Sequence, residues 1–110
     1  MIYLNPNEKD EKGNTLLHRM VKNRVSAKQI EILLNVPGID INATNKKNRT
    51  ALFIACKNND FNLVRTLMFY DAKLNIRDKK GKFALDYLDL SLDVKELKKT
   101  SIKLKHKKLK

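Results

Sequence analysis

A chain of 110 residues holds one small domain, and 24 lysines and arginines against 12 acidic residues leave it at +12, a balance that points to polyanionic partners. A single cysteine, Cys56, excludes an internal disulfide framework. No apolar run approaches the roughly 18 residues of a membrane-spanning helix, and Met1-Ile2-Tyr3-Leu4 is too short and uncharged for a signal peptide.

In chain order, Leu4-Asn5 reads as the end of a polar turn, and Asp10 to Asn14 as the turn that opens the first complete unit, with Gly13 supplying a positive φ. A first inner helix is predicted over Leu16 to Lys22. Ser26-Ala27-Lys28-Gln29 has the form of a capping box and starts an outer helix whose Ile30, Leu33 and Leu34 fall at helical spacing before Pro37-Gly38 ends it. Thr44 to Arg49 is a second polar turn, punctuated by Asn48, a residue that tolerates the left-handed backbone better than most. Ala51 to Lys57 is the second inner helix. Asp60 is placed to cap Phe61 to Tyr70, whose predicted buried stripe is Phe61, Val64, Leu67 and Met68. Leu74 to Lys82 forms a third turn, Ala84 to Leu88 a short inner helix, and an outer helix begins at about Leu92. Beyond Thr100 the pattern frays. From Val94 onward, eight lysines against Glu96 contribute +7 of the charge. This tail is open to three readings: an end cap closed by Leu97 and Ile102, a disordered basic arm, or a membrane-surface segment. Capping followed by a frayed arm is preferred, because no wide apolar stripe or aromatic anchor is present.

The elements repeat. Gly13-Asn14-Thr15-Leu16-Leu17-His18 returns as Asn48-Arg49-Thr50-Ala51-Leu52-Phe53 and again as Gly81-Lys82-Phe83-Ala84-Leu85-Asp86, with spacings of 35 and 33 residues between the matched leucines. Asp40-Ile41-Asn42 answers Lys73-Leu74-Asn75 in the same way. Self-similarity at this period marks a solenoid, in which each unit buries its apolar face against the next.

These phrases resemble the ankyrin repeat, with its D-x-x-G-x-T-P-L-H-x-A opening, a second helix ending in L-L, and a closing G-A-D-V-N. The resemblance implies an all-α ankyrin-repeat solenoid of helix-turn-helix units joined by hairpin-like fingers over residues 4–97. Its units are about 10–42, 45–75 and 78–100, and 101–110 form a basic tail. The family proline is replaced by Leu16, Ala51 and Ala84, the glycine before the second helix by Asn59, and the small alanine by Met20 and Leu88 in the outer units. The lysine and asparagine bias also resembles that of short ankyrin-repeat proteins of intracellular bacteria.

The sequence predicts no enzyme, cofactor or metal site. Catalysis needs a nucleophile or an acid–base pair, and the inventory is one cysteine, two histidines and scattered carboxylates. Cys56 takes a small-residue position on an inner helix, and His18 takes the place where the resemblance implies turn-stabilising hydrogen bonds. His106 lies among the lysines of the tail. Zinc wants several Cys or His at short spacing. Asn42-Ala43-Thr44 and Asn48-Arg49-Thr50 fit the glycosylation sequon but fall in turns where Asn and Thr have structural uses.

The resemblance implies a partner surface made of finger tips and the exposed side of the inner helices. Its candidate residues are Lys12 in the first finger, Lys46, Lys47 and Arg49 in the second, Arg77, Lys79, Lys80 and Lys82 in the third, and Lys22 and Lys57 on the helices. Phe53 is added as a desolvated anchor, against the alternative of a packed aromatic. The expected function is protein–protein interaction with an acidic partner surface, by a monomer in the cytoplasm, with secretion into a host cell left open. Sequence-independent nucleic-acid binding through fingers and tail is the alternative; few aromatics for stacking and an excess of Lys over Arg weigh against it. A purely structural module is the third reading.

Overall fold

The computed structural model describes residues 5–89. The outer helix expected from Leu92 and every reading of the basic tail lie outside the described residues.

Each unit opens with a finger built around one side chain. Asp10 Oδ1 accepts from the backbone N–H groups of Lys12 and Asn14, Asn45 Oδ1 from those of Lys47 and Arg49, and Asp78 Oδ1 from those of Lys80 and Lys82. Asx side chains close turns in this way. The backbone N–H of each of these residues donates to the carbonyl four positions on, at 2.9 Å in all three fingers. Gly13, Asn48 and Gly81 take the left-handed position of the turn, with φ of 77°, 58° and 78°. Gly13 is also pressed by its neighbour, since a Cβ there would stand 2.9 Å from the backbone nitrogen of Lys46.

Helices follow the fingers. The first pair is α1 (Leu16–Lys22) and α2 (Ala27–Leu34), and the second is α3 (Ala51–Lys57) and α4 (Phe61–Phe69). Ser26 Oγ accepts from Gln29 N at 3.4 Å, which supplies one half of the expected box, and Asp60 Oδ1 accepts from Leu63 N at 3.2 Å. The third inner element is tighter than a helix: Ala84–Tyr87 form a 3₁₀ turn, whose Asp86 carboxylate accepts from Phe83 N at 2.8 Å. Among the described residues the fold is all-α, apart from an isolated antiparallel bridge between Arg77 and Phe83 that closes the third finger.

Inner elements pack in the order α1, α3, 3₁₀ turn, and α2 packs on α4. The core between them is Leu17 and Val21, Ile30, Leu33 and Leu34, Leu52, Phe53 and Cys56, then Leu63, Val64 and Leu67, closed by Ala84. The stripe of α4 differs from the expected one. Leu63, Val64 and Leu67 are buried, whereas Met68 is 41% exposed and Phe61 only half-buried. A nine-residue helix that must meet both α2 and α3 turns its i, i+4 pair Leu63 and Leu67 inward, which carries Met68 outward.

Hydrogen bonds tie unit to unit at both ends of the layer, backbone to backbone at the fingers and backbone to asparagine side chain at the other end. Lys46 N donates to Lys12 O and Lys79 N to Lys47 O, each at 3.0 Å, so adjacent fingers run side by side. Asn7 Oδ1 accepts from Asp40 N at 2.7 Å, and Asn42 Oδ1 from Lys73 N at 2.8 Å. Asn7 and Asn42 are therefore rivets between successive layers.

Candidate protein-binding face

Stacking places the finger tips beside the open side of α1 and α3, with a cleft of about 650 Å³ between them. Lys12, Lys22, Lys46, Lys47 and Lys57 line it and are all exposed, and Glu11 is the one carboxylate among its lining residues. Lys79, Lys80 and Lys82 are exposed on the third finger. Arg77 is committed locally: its Nη1 donates to Gly81 O at 3.0 Å, and its guanidinium lies 4.3 Å from the centre of the Phe83 ring. That stacking fixes the base of the finger.

Two of the residues expected on this face turn inward. Phe53 is 1% exposed and packs its ring 6.1 Å from that of Tyr87, so it is core and cannot meet a partner. Arg49 is 7% exposed. Its Nε donates to Asp78 Oδ2 at 3.0 Å and its Nη2 to the Tyr87 hydroxyl at 3.0 Å, while the Tyr87 hydroxyl donates to the same Asp78 oxygen. Burial opposes ionisation of Asp78, but hydrogen bonds from Tyr87, the Lys82 amide, Arg49 and the Lys80 amide outweigh it. They hold the carboxyl far below the ordinary carboxylate range. Arg49 and Asp78 thus join the second unit to the third, where the expectation placed Arg49 against a partner.

Sequence reasoning missed Tyr87, yet a signal was present. Arg19 stands nine residues after Asp10 and pairs with it at 3.3 Å, and Tyr87 stands nine after Asp78 and does the same. A finger acid followed at that interval by a donor on the inner element is the recurring pattern.

His18 supplies the turn-stabilising contacts that were expected. Its Nδ1 accepts from Thr15 N at 3.0 Å and its Nε2–H donates to Arg49 O at 2.9 Å, so the neutral ring is fully satisfied and links the first unit to the second. Burial pushes its pKa below the usual histidine value, against the pull of the Arg49 carbonyl. Cys56 is buried, and desolvation raises its thiol to about 11, which leaves it inert as a nucleophile at neutral pH.

The model of the family described as ankyrin repeats, three copies, matches residues 2–87. The chain belongs to the ankyrin-repeat family. It is 38% identical over 89 residues to the protein named "Putative ankyrin repeat protein L86" of Acanthamoeba polyphaga mimivirus. That match takes in 77% of this chain and 15% of the viral protein, so the chain spans a small part of the relative's length. Among solved structures it resembles the ankyrin repeat domain of Bcl-3, described as a unique member of the IkappaB protein family. The TM-score is 0.72 at 24% identity, over 78% of this chain and 37% of that one. At that identity the likeness establishes the fold. Ankyrin repeats generally mediate protein–protein interaction and are typically not enzymes. No helix among the described residues of this ankyrin-repeat chain is long and apolar enough to cross a membrane.

Proposed function

We infer that the chain is a non-enzymatic protein-binding module whose open face docks an acidic segment or patch of another protein. The observation that carries this reading is the sign of the cleft: five exposed lysines line it with a single carboxylate, Glu11. On the third finger the acid is turned inward to other work, since Asp78 is 5% exposed and paired with Arg49. A field of one sign raises the encounter rate with its opposite. Lysine ammoniums then offer charge-assisted hydrogen bonds to carboxylates as the partner settles.

The docking residues are Lys12, Lys22, Lys46, Lys47, Lys57, Lys79, Lys80 and Lys82, without Arg49 and Phe53, which are buried, and without Arg77, which is held by Gly81 and the Phe83 ring. A monomer acting in the cytoplasm belongs to the same proposal, and sedimentation tests the first half of it. The function itself is tested by capture from lysate at two salt concentrations, with and without nuclease. Protein capture that survives nuclease and weakens at the higher salt is expected, because exposed charges more than about 8 Å apart are largely screened at physiological ionic strength. Capture that disappears with nuclease refutes the reading in favour of nucleic acid.

A further inference from the structure

The third finger and the end of α3 bring lysines together around one aromatic ring. Lys57 Nζ lies 5.4 Å and Lys82 Nζ 5.6 Å from the centre of the Tyr87 ring, within the reach over which a ring attracts a cation. Partial burial of its stem, then the charges of Arg49, Lys47 and Lys80, push the Lys57 pKa down from the ordinary lysine value. These ammoniums repel one another, and Asp78 does little to relieve them because its carboxylate is held by Arg49 and Tyr87. The ion pairs among the described residues are Arg19–Asp10 and Arg49–Asp78. Lys47, Lys57, Lys80 and Lys82 are thus exposed cations gathered together, and the one carboxylate that acts on Lys57, Asp78, is buried and already paired with Arg49.

We propose that this cluster around Tyr87 takes the phosphate dianion of a phosphorylated side chain carried by the docked acidic segment. The proposal rests on the protein-binding reading above and names the chemistry of one part of that face. A phosphorylated serine carries about −1.5 to −2 charges and three acceptor oxygens, so several ammoniums share it at once. A carboxylate brings one charge and fits such a cluster less well. A nucleic-acid backbone brings one charge per phosphate, and the aromatic ring its bases would need is already met by Arg49, Lys57, Lys82 and Phe53.

The test is calorimetric titration of the full chain with a peptide of Asp and Glu around a central serine, phosphorylated and unphosphorylated. Phosphorylation is expected to tighten binding about tenfold or more, as several charge-assisted bonds allow. In Lys57→Gln and Lys82→Gln that gain shrinks to about threefold or less, whereas Lys12→Gln weakens both peptides alike and keeps the ratio. Titration with inorganic phosphate at constant ionic strength, followed by NMR, is expected to move the Lys57 side chain and the Tyr87 ring, where chloride does not. No phosphate gain in the wild type, an unchanged gain in both variants, or tighter binding of single-stranded DNA than of the phosphopeptide overturns the proposal. Failure of the unphosphorylated acidic peptide to bind at all counts instead against the protein-binding reading of the whole face.

Discussion

Thr50 shows what one substitution does inside a repeat. Its counterpart Thr15 has its hydroxyl 2.9 Å from His18 Nδ1, but Phe53 stands where that histidine would be, and Thr50 Oγ1 is buried among the described residues without a hydrogen-bond partner. A buried polar atom left unpaired costs about 1–3 kcal/mol. Thr50→Val keeps the shape and removes that cost, so it is expected to raise stability by about 1 kcal/mol in urea unfolding, whereas Thr15→Val, which strips His18 of a partner, lowers it by a similar amount. His18 adds a dependence on pH. Its folded pKa is depressed below 6.5, so the folded state binds fewer protons than the unfolded chain between the two values. Its contribution is complete above about 6.5 and is lost as the pH falls from there towards the folded value. The melting temperature should therefore drop between pH 7.5 and 5.5, and His18→Asn should flatten that slope.

At the level of elements, successive fingers use one position with two chemistries. Asn14 Oδ1 accepts from Asn45 Nδ2 at 2.9 Å across the first interface, and its counterpart Arg49 meets Asp78 across the second, with side chains 8% and 1% exposed. Removing either partner of a buried ion pair leaves a charge unmatched and costs about 3–5 kcal/mol. Arg49→Asn and Asp78→Asn should each destabilise by that much, while the double variant, which copies the first interface, should recover most of the loss in a double-mutant cycle. The fingers, helix pairs and caps were legible in the sequence because they recur at 33 to 35 residues and rest on local rules: Asx turns, left-handed Asn48, Asp60 as a cap. The inward turn of Arg49 was not legible, because it depends on Asp78 and Tyr87, 29 and 38 residues away. Phe53 was misplaced as an anchor for the same reason, since only the Tyr87 ring across the next interface completes its pocket. The stripe of α4 held at Val64 and Leu67 but took Phe61 and Met68 in place of Leu63, because periodicity fixes a helix's buried arc less sharply than contact with two neighbours does.

For the molecule as a whole, where charge lies matters more than how much there is. The chain carries +12, yet the outer helices mix signs, with Lys28 and Arg65 on them as well as Glu31 and the capping Asp60, while the cleft between fingers and inner helices is lined by five lysines against the single carboxylate of Glu11. Steering by net charge alone would make every surface lysine equivalent; docking in the cleft makes a few of them dominant. The most direct measurement is the affinity of an acidic peptide for two double variants of equal net charge: Lys47→Glu with Lys80→Glu on the fingers, and Lys28→Glu with Arg65→Glu on the outer helices. The finger pair is expected to weaken binding by about tenfold or more, with the outer pair within about threefold of the wild type. Equal losses in the two variants would show that the cleft is not the docking face.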